Sequence, residues 1–162
     1  MGSNVGDRER HVLDAVRRIH SAAISVVACS SLYESEPAEG VGGHDFINAV
    51  VEVRTLLCPL DLLKRLKTIE KSMGRTGGHN QAREIDIDIV SYGEKVVEST
   101  DLTIPHPRFG GRTFVLVPLQ EIAPGFRCPL TGRGVAELIG ELGHSHGISR
   151  VSSREVVAAI ST

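Results

Sequence analysis

Apolar residues along this chain recur with two periods, and the places where one period gives way to the other mark its elements. Val12, Ala15, Val16 and Ile19 stand at helical spacing behind Asp7, a residue suited to cap a first turn, so a helix is predicted from there to about Ser21. Residues 24–33 are rich in β-branched and apolar side chains and read as a strand. Residues 46–56 read as a second strand, and the two are expected to pair antiparallel. Between them lie twelve residues, 34–45, with four acidic side chains, Pro37 and three glycines, a loop long enough to suggest function. Pro59 then opens a helix where its missing N–H costs nothing. Leu62, Leu63, Leu66, Ile69 and Met73 give that helix an apolar stripe, and Gly74 ends it.

Residues 75–82 carry Gly77 and Gly78 and no periodicity, and so form a loop. That loop feeds Arg83-Glu84-Ile85-Asp86-Ile87-Asp88-Ile89-Val90, whose alternation predicts a strand with two unlike faces. After a turn at residues 92–95, residues 96–97 and 102–104 suit short edge strands, and Pro105-His106-Pro107-Arg108 breaks regular structure. Leu116, Leu119 and Ile122 recur at three-residue intervals in an apolar run, which predicts a short helix over 113–122, stopped by Pro124. A last helix is predicted over 134–142. Beyond Gly143 the pattern is weak, with Val156, Val157 and Ile160 as residues that could dock. The order helix, strand, strand, helix, strand is that of an α+β, ferredoxin-like split βαββαβ sandwich. Its sheet would be largely antiparallel with helices on one face, and its first strand position is unfilled.

Length and composition narrow the function classes. The chain has 162 residues, enough for one domain spanning 1–162 with its own core. Hydrophobic residues make up 41% and charged residues 23%, as in a soluble globular protein, and no run is long and apolar enough for a membrane span. With no signal-like apolar start, a cytoplasmic protein is expected. Eighteen Lys and Arg against 20 Asp and Glu leave a formal charge of −2, and aromatics are only 4%, so a nucleic-acid surface is not expected. Phosphate binding would have to come from locally placed arginines and metal. Cys29, Cys58 and Cys128 are odd in number and sit among apolar neighbours, the pattern of reduced core thiols.

The strongest chemical signal is Asp86 with Asp88. Side chains at i and i+2 of a strand share a face, so these carboxylates stand side by side while Ile85, Ile87 and Ile89 turn inward. Such a pair suits Mg²⁺, which is often held by one or two carboxylates with waters and substrate phosphates. The alternative is a solvated acidic edge. Phe46 and Phe114 taken alone suit a core better than a binding site, whereas Asn48 is an amide in an otherwise apolar strand and needs a partner. His144-Ser145-His146 has no third ligand nearby and reads as a solvated loop.

Gly2-Ser3-Asn4 with Gly6-Asp7-Arg8, Phe46-Ile47-Asn48-Ala49-Val50, Gly74-Arg75 with residues 83–89, and Pro105-His106-Pro107-Arg108 with Arg112 and Phe114-Val115-Leu116 have to be taken together. In this order and spacing they resemble the 6-hydroxymethyl-7,8-dihydropterin pyrophosphokinases of the folate pathway, over roughly residues 2 to 124. The resemblance implies transfer of pyrophosphate from ATP to a pterin alcohol, giving the pterin diphosphate and AMP. It implies a monomer, apart from any association with neighbouring folate enzymes. It makes Asp86 and Asp88 the ligands of two Mg²⁺ ions on the triphosphate, and Arg75 and Arg83 the stabilisers of the transferring group. Phe46, Asn48 and Phe114 become the pterin site, with backbone groups around Ser35, Glu36 and Ala38 at the pterin edge. His106 and Arg112 become nucleotide-phosphate contacts. Glu70 would approach the nucleotide, its alternative being an exposed helical glutamate.

Two departures from the family pattern accompany the resemblance. Members usually begin several residues earlier, with an apolar strand running into the Gly-Ser-Asn turn, so the sequence is expected to start at an internal methionine or short of its true beginning. Asn80-Gln81-Ala82-Arg83 stands where Trp-Gly-Pro-Arg is usual, and no further arginine follows Arg75 in that loop. A family member that binds pterin or nucleotide without turnover is therefore the alternative function.

Overall fold

The computed structural model describes residues 1–37, 44–74, 82–143 and 147–152. In chain order these form β1 (Gly2–Ser3), α1 (Arg8–Ile19), β2 (Ile24–Cys29), β3 (Leu32–Ser35), β4 (Phe46–Asn48), β5 (Val51–Thr55) and α2 (Pro59–Ser72). They continue with β6 (Val97–Glu98), β7 (Thr103–Ile104), a 3-10 turn (Phe109–Gly111), α3 (Thr113–Ile122), α4 (Val135–Glu141) and β8 (Ile148–Ser152). The fold is α+β with antiparallel pairing. One sheet has the order β1-β4-β3-β8, β2 pairs with β5, and β6 pairs with β7.

The helices form where the apolar periodicity places them. Asp7 caps α1, its carboxylate accepting the Arg10 N–H at 3.2 Å, and Val12, Ala15, Val16 and Ile19 are all buried. Burial of each larger aliphatic side chain contributes about 1.5–3 kcal/mol, enough to fix the face that α1 turns inward. Pro59 opens α2, and Met73 with Gly74, at φ +98°, ends it. Pro118 lies inside α3, where it deletes one helical hydrogen bond, yet the helix holds because Leu116 and Leu119 are buried.

The two long β runs each break in the middle. At the break Ser30 Oγ donates to Ser31 O at 2.8 Å and accepts the Val50 N–H at 3.0 Å, while Glu121 takes the Ser31 N–H at 3.1 Å. Side-chain groups thus join the remaining backbone bond from the Ser30 N–H to Val50 O, 2.9 Å, and the pairs β2–β5 and β3–β4 go to different sheets. The first strand position, expected to be unfilled, is taken only at one end, by Gly2 and Ser3. These pair with Asn48 and Ile47 on one side, and Gly2 exchanges backbone hydrogen bonds with Asp86 at 2.8 and 2.9 Å on the other. That bridge is also where residues 83–90 depart from a regular ladder strand, since the Ile87 N–H goes to a side chain, Glu70. The alternation still holds, with Ile85, Ile87 and Ile89 buried at 0%, 3% and 8% exposure. Farther along, β5 and residues 87–90 are kept apart by an apolar cavity of about 760 Å³.

Helices on one face only were expected, and the packing departs from that. Ala49 and Ile89 belong to the core under α1 and α2, while their chain neighbours Val50 and Val90 pack with Leu116, Leu119, Val135 and Leu138 of α3 and α4. Successive residues of extended chain face opposite ways, so helices cover both sides at this point. The cysteines also divide. Cys128 is buried and burial pushes the Cys29 thiol up to about 12, but Cys58 is exposed at the start of α2, its thiol donating to Asp61 at 3.2 Å. Among the described residues no helix is long and apolar enough to cross a membrane.

Candidate active site

A cleft of about 290 Å³ opens where β1, β4 and residues 83–90 meet the start of α3. The pleat of residues 85–89 aims Asp86 and Asp88 into it while the isoleucines anchor the segment from behind. Arg83 reaches back three residues, its Nη1 donating to Asp86 Oδ2 at 2.8 Å. Its Nε is buried and has no hydrogen-bond partner among the described residues. A buried guanidinium N–H without a partner beside a cleft suits an incoming anion. His106 Nε2 stands 4.0 Å from Asp88 Oδ2, and His106 Nδ1 accepts the Arg108 N–H at 3.1 Å. This leaves the ring proton on Nε2, facing the cleft. Burial lowers the His106 pKa, Asp88 opposes that, and Arg112 and Arg108 reinforce it. Arg112 is lowered for the same leading reason, burial.

The other end of the cleft is aromatic. The Arg83 guanidinium lies 5.9 Å from the Phe46 ring centre and that of Arg112 lies 5.5 Å from Phe114. The two rings thus line a space bounded by cations. Asn48, buried, donates from Nδ2 to Ser35 Oγ at 2.9 Å and more weakly to Phe46 O at 3.3 Å. Gly2 passes so close that a Cβ there would stand 2.8 Å from Asn48 Oδ1 and 3.3 Å from the Phe46 ring. Only glycine allows this approach.

The structure therefore brings Arg83, Asp86, Asp88, His106, Arg112, Ser35, Glu36, Phe46, Asn48 and Phe114 to one cleft. Arg75 and Ala38 lie outside the described residues. Glu70 is not the exposed helical glutamate of its alternative reading. It is 2% exposed, and its Oε1 accepts hydrogen bonds from the Ile87 N–H at 2.7 Å and from Lys67 Nζ at 3.0 Å, so it holds the backbone between the two aspartates. The signal was available, because Glu70 follows Leu66 by four positions and shares its buried face. Lys67, which also reaches the cleft, carried no signal in sequence beyond an ordinary helical lysine.

The 7,8-dihydro-6-hydroxymethylpterin-pyrophosphokinase family model matches residues 1–124. A 2-amino-4-hydroxy-6-hydroxymethyldihydropteridine pyrophosphokinase of Bacillus subtilis is 40% identical over 124 residues, 75% of this chain and 74% of its own length. The folic acid synthesis protein fol1 of Pneumocystis carinii is 43% identical over 137 residues, 84% of this chain but 18% of the larger protein. A mitochondrial folate synthesis bifunctional protein of Pisum sativum is 39% identical over 150 residues, 92% of this chain and 28% of that protein. The chain thus spans under a third of these last two relatives. It belongs to the 7,8-dihydro-6-hydroxymethylpterin-pyrophosphokinase family.

Proposed function

We propose that this chain transfers the terminal diphosphate of ATP to the hydroxymethyl oxygen of 6-hydroxymethyl-7,8-dihydropterin, giving the pterin diphosphate and AMP. The observation that carries the reading is the juxtaposition, in one cleft, of a carboxylate pair and cations at one end with two rings and a buried amide at the other. In the transfer the alcohol oxygen bonds to the β-phosphorus, the bond from that phosphorus to the α,β-bridging oxygen breaks, and AMP leaves with its electron pair. The alcohol proton passes to solvent.

Asp86 and Asp88 would hold two Mg²⁺ ions. Two carboxylates opening onto one cleft fit a cation whose coordination is completed by phosphate oxygens and water. When bound, Mg²⁺ supplies charge neutralisation and alignment of the phosphates. The chain's own residues do the rest. Arg83, with Nε free of any partner among the described residues, together with Arg75, meets the transferring group, where preorganised cations act most strongly in a water-poor cleft. His106, donating from Nε2, and Arg112 meet the nucleotide phosphates. Phe46 and Phe114 flank the pterin, Asn48 fixes its edge, and the backbone of Ser35, Glu36 and Ala38 completes that edge.

If β2 with β3 and β4 with β5 count as one bent strand each, the chain runs β, α, β, β, α and then the Asp86 segment. The neighbour order Asp86 segment, β1, β4, β3 supports reading it as a ferredoxin-like split βαββαβ. We assign residues 1–162 to one pyrophosphokinase domain, monomeric and cytoplasmic. The test is release of AMP from ATP that requires both the pterin alcohol and Mg²⁺, with the diphosphate ester identified by mass. ATP consumption indifferent to the pterin would refute the assignment.

A further inference from the structure

Three polar groups of one residue tie the two ends of this cleft together. Asn4 is fully buried in the Gly-Ser-Asn turn that follows β1. Its N–H donates to Arg83 O at 3.2 Å, and its side-chain Oδ1 accepts the Arg83 N–H at 2.9 Å. Its own carbonyl accepts the His44 N–H at 3.2 Å, two residues before Phe46. From these anchored backbones Arg83 extends to Asp86 and over the Phe46 ring. We infer that Asn4 is a positioning residue for the diphosphoryl transfer. It sets where the Arg83 guanidinium stands relative to the ring that begins β4. The inference rests on the activity proposed above and adds to it a residue that touches no substrate.

The chemistry limits which residue can do this. The backbone N–H and C=O of position 4 are present whatever the side chain, so they hold His44 and Arg83 O in any variant. Only the side-chain acceptor satisfies the Arg83 N–H, and only Asn or Asp places an oxygen at that reach. Losing it leaves a partly buried amide without its partner immediately before a side chain whose Nε has none. A guanidinium in that setting is useful only if its backbone is fixed. An error of about 1 Å in a charge aimed at a transferring phosphate lowers turnover far more than it lowers binding.

The test is a double-mutant cycle on the full chain. kcat and the KM values for ATP and pterin alcohol are measured for wild type, Asn4→Ala, Arg83→Ala and the double variant, with Asn4→Asp beside them. Asn4→Ala is expected to lower kcat about tenfold or more with each KM within about threefold, and to cost nothing further once Arg83 is alanine. Asn4→Asp, which keeps the acceptor, is expected to restore most of kcat. An equal loss in the Arg83→Ala background would overturn the inference, as would raised KM values with kcat unchanged. Should the alanine variant not fold, Asn4→Ser, whose hydroxyl is too short to reach the Arg83 amide, takes its place with the same expectations. Absence of turnover in wild type would overturn the activity and this role with it, whereas a wild type that turns over isolates the role of Asn4.

Discussion

Glu70 Oε1 accepts the backbone N–H of Ile87 at 2.7 Å, so a helical carboxylate grips the one residue that lies between Asp86 and Asp88. Lys67 Nζ, 3.0 Å from the same oxygen, balances the buried charge and reaches on to Ile87 O at 3.4 Å. Removing the carboxylate leaves a buried N–H unpaired and takes from Lys67, at the edge of the cleft, its ion-pair partner. Glu70→Ala is therefore expected to lower stability by about 2–3 kcal/mol, read by chemical denaturation. Glu70→Gln, whose amide oxygen can still accept, should lose less stability and keep more activity. Equal losses in the two variants would show that charge, not the Ile87 contact, is what Glu70 supplies.

Asp86 and Asp88 differ in their surroundings, and their variants should differ accordingly. Asp88 is 45% exposed and stands 4.0 Å from His106, whereas Asp86 is 24% exposed and carries the Arg83 ion pair. Either alanine variant is expected to abolish AMP release and the Mg²⁺-dependent thermal protection given by ATP. Asp88→Ala should melt within about 2 °C of wild type, as expected for a surface change. Asp86→Ala should melt lower, because it leaves a buried arginine without its carboxylate. Unchanged turnover in either variant would refute the carboxylate assignment.

Gly2 offers a test of the aromatic end. A methyl group there would stand 2.8 Å from Asn48 Oδ1 and press on the Phe46 ring, and Asn48 would have to give up its hydrogen bond to Ser35 to move aside. Overpacking of this kind typically costs about 1–3 kcal/mol. Gly2→Ala is expected to lower the melting temperature and to raise KM for the pterin alcohol several-fold, with KM for ATP little changed. A uniform rise in both KM values would mean that the close approach does not serve the pterin end in particular.

The parts of this fold that follow from one local pattern were legible in the sequence. Val12 to Ile19, Leu62 to Met73 and Leu116 to Ile122 each announce a helix, because a buried stripe has to recur at helical spacing. The Ile and Asp alternation likewise fixed which side chains of residues 85–89 reach the cleft. What stayed hidden depends on partners distant in sequence. The break at Ser30 and Ser31 is made by Val50 and Glu121, and the covering of both faces depends on where α3 and α4 dock. Strand β8 was hidden for the same reason. Its pairing with β3 and the reach of Arg150 Nε to Ser31 Oγ, at 2.9 Å, leave no periodic trace in a short polar segment.

That same cluster leads to a prediction about acid stability. Glu121, at the end of α3, accepts the Ser31 N–H at 3.1 Å, the Ser31 hydroxyl at 2.8 Å and the Tyr33 hydroxyl at 2.8 Å, with Arg150 at 3.7 Å. Burial pushes the carboxyl up, but these hydrogen bonds outweigh it and hold the pKa below the ordinary 4.5. A folded-state pKa below the unfolded one means that the unfolded chain binds the proton more readily. The stabilisation is then fully present above pH 4.5 and is lost as pH falls through the folded-state value. Glu121→Gln cannot titrate there. It is expected to be less stable than wild type at neutral pH and to lose less stability on acidification, so that the two curves of melting temperature against pH converge below pH 4.5. Parallel curves would show that the charge on Glu121 contributes nothing to holding β3 and α3 together. The contacts would then act only through their shape.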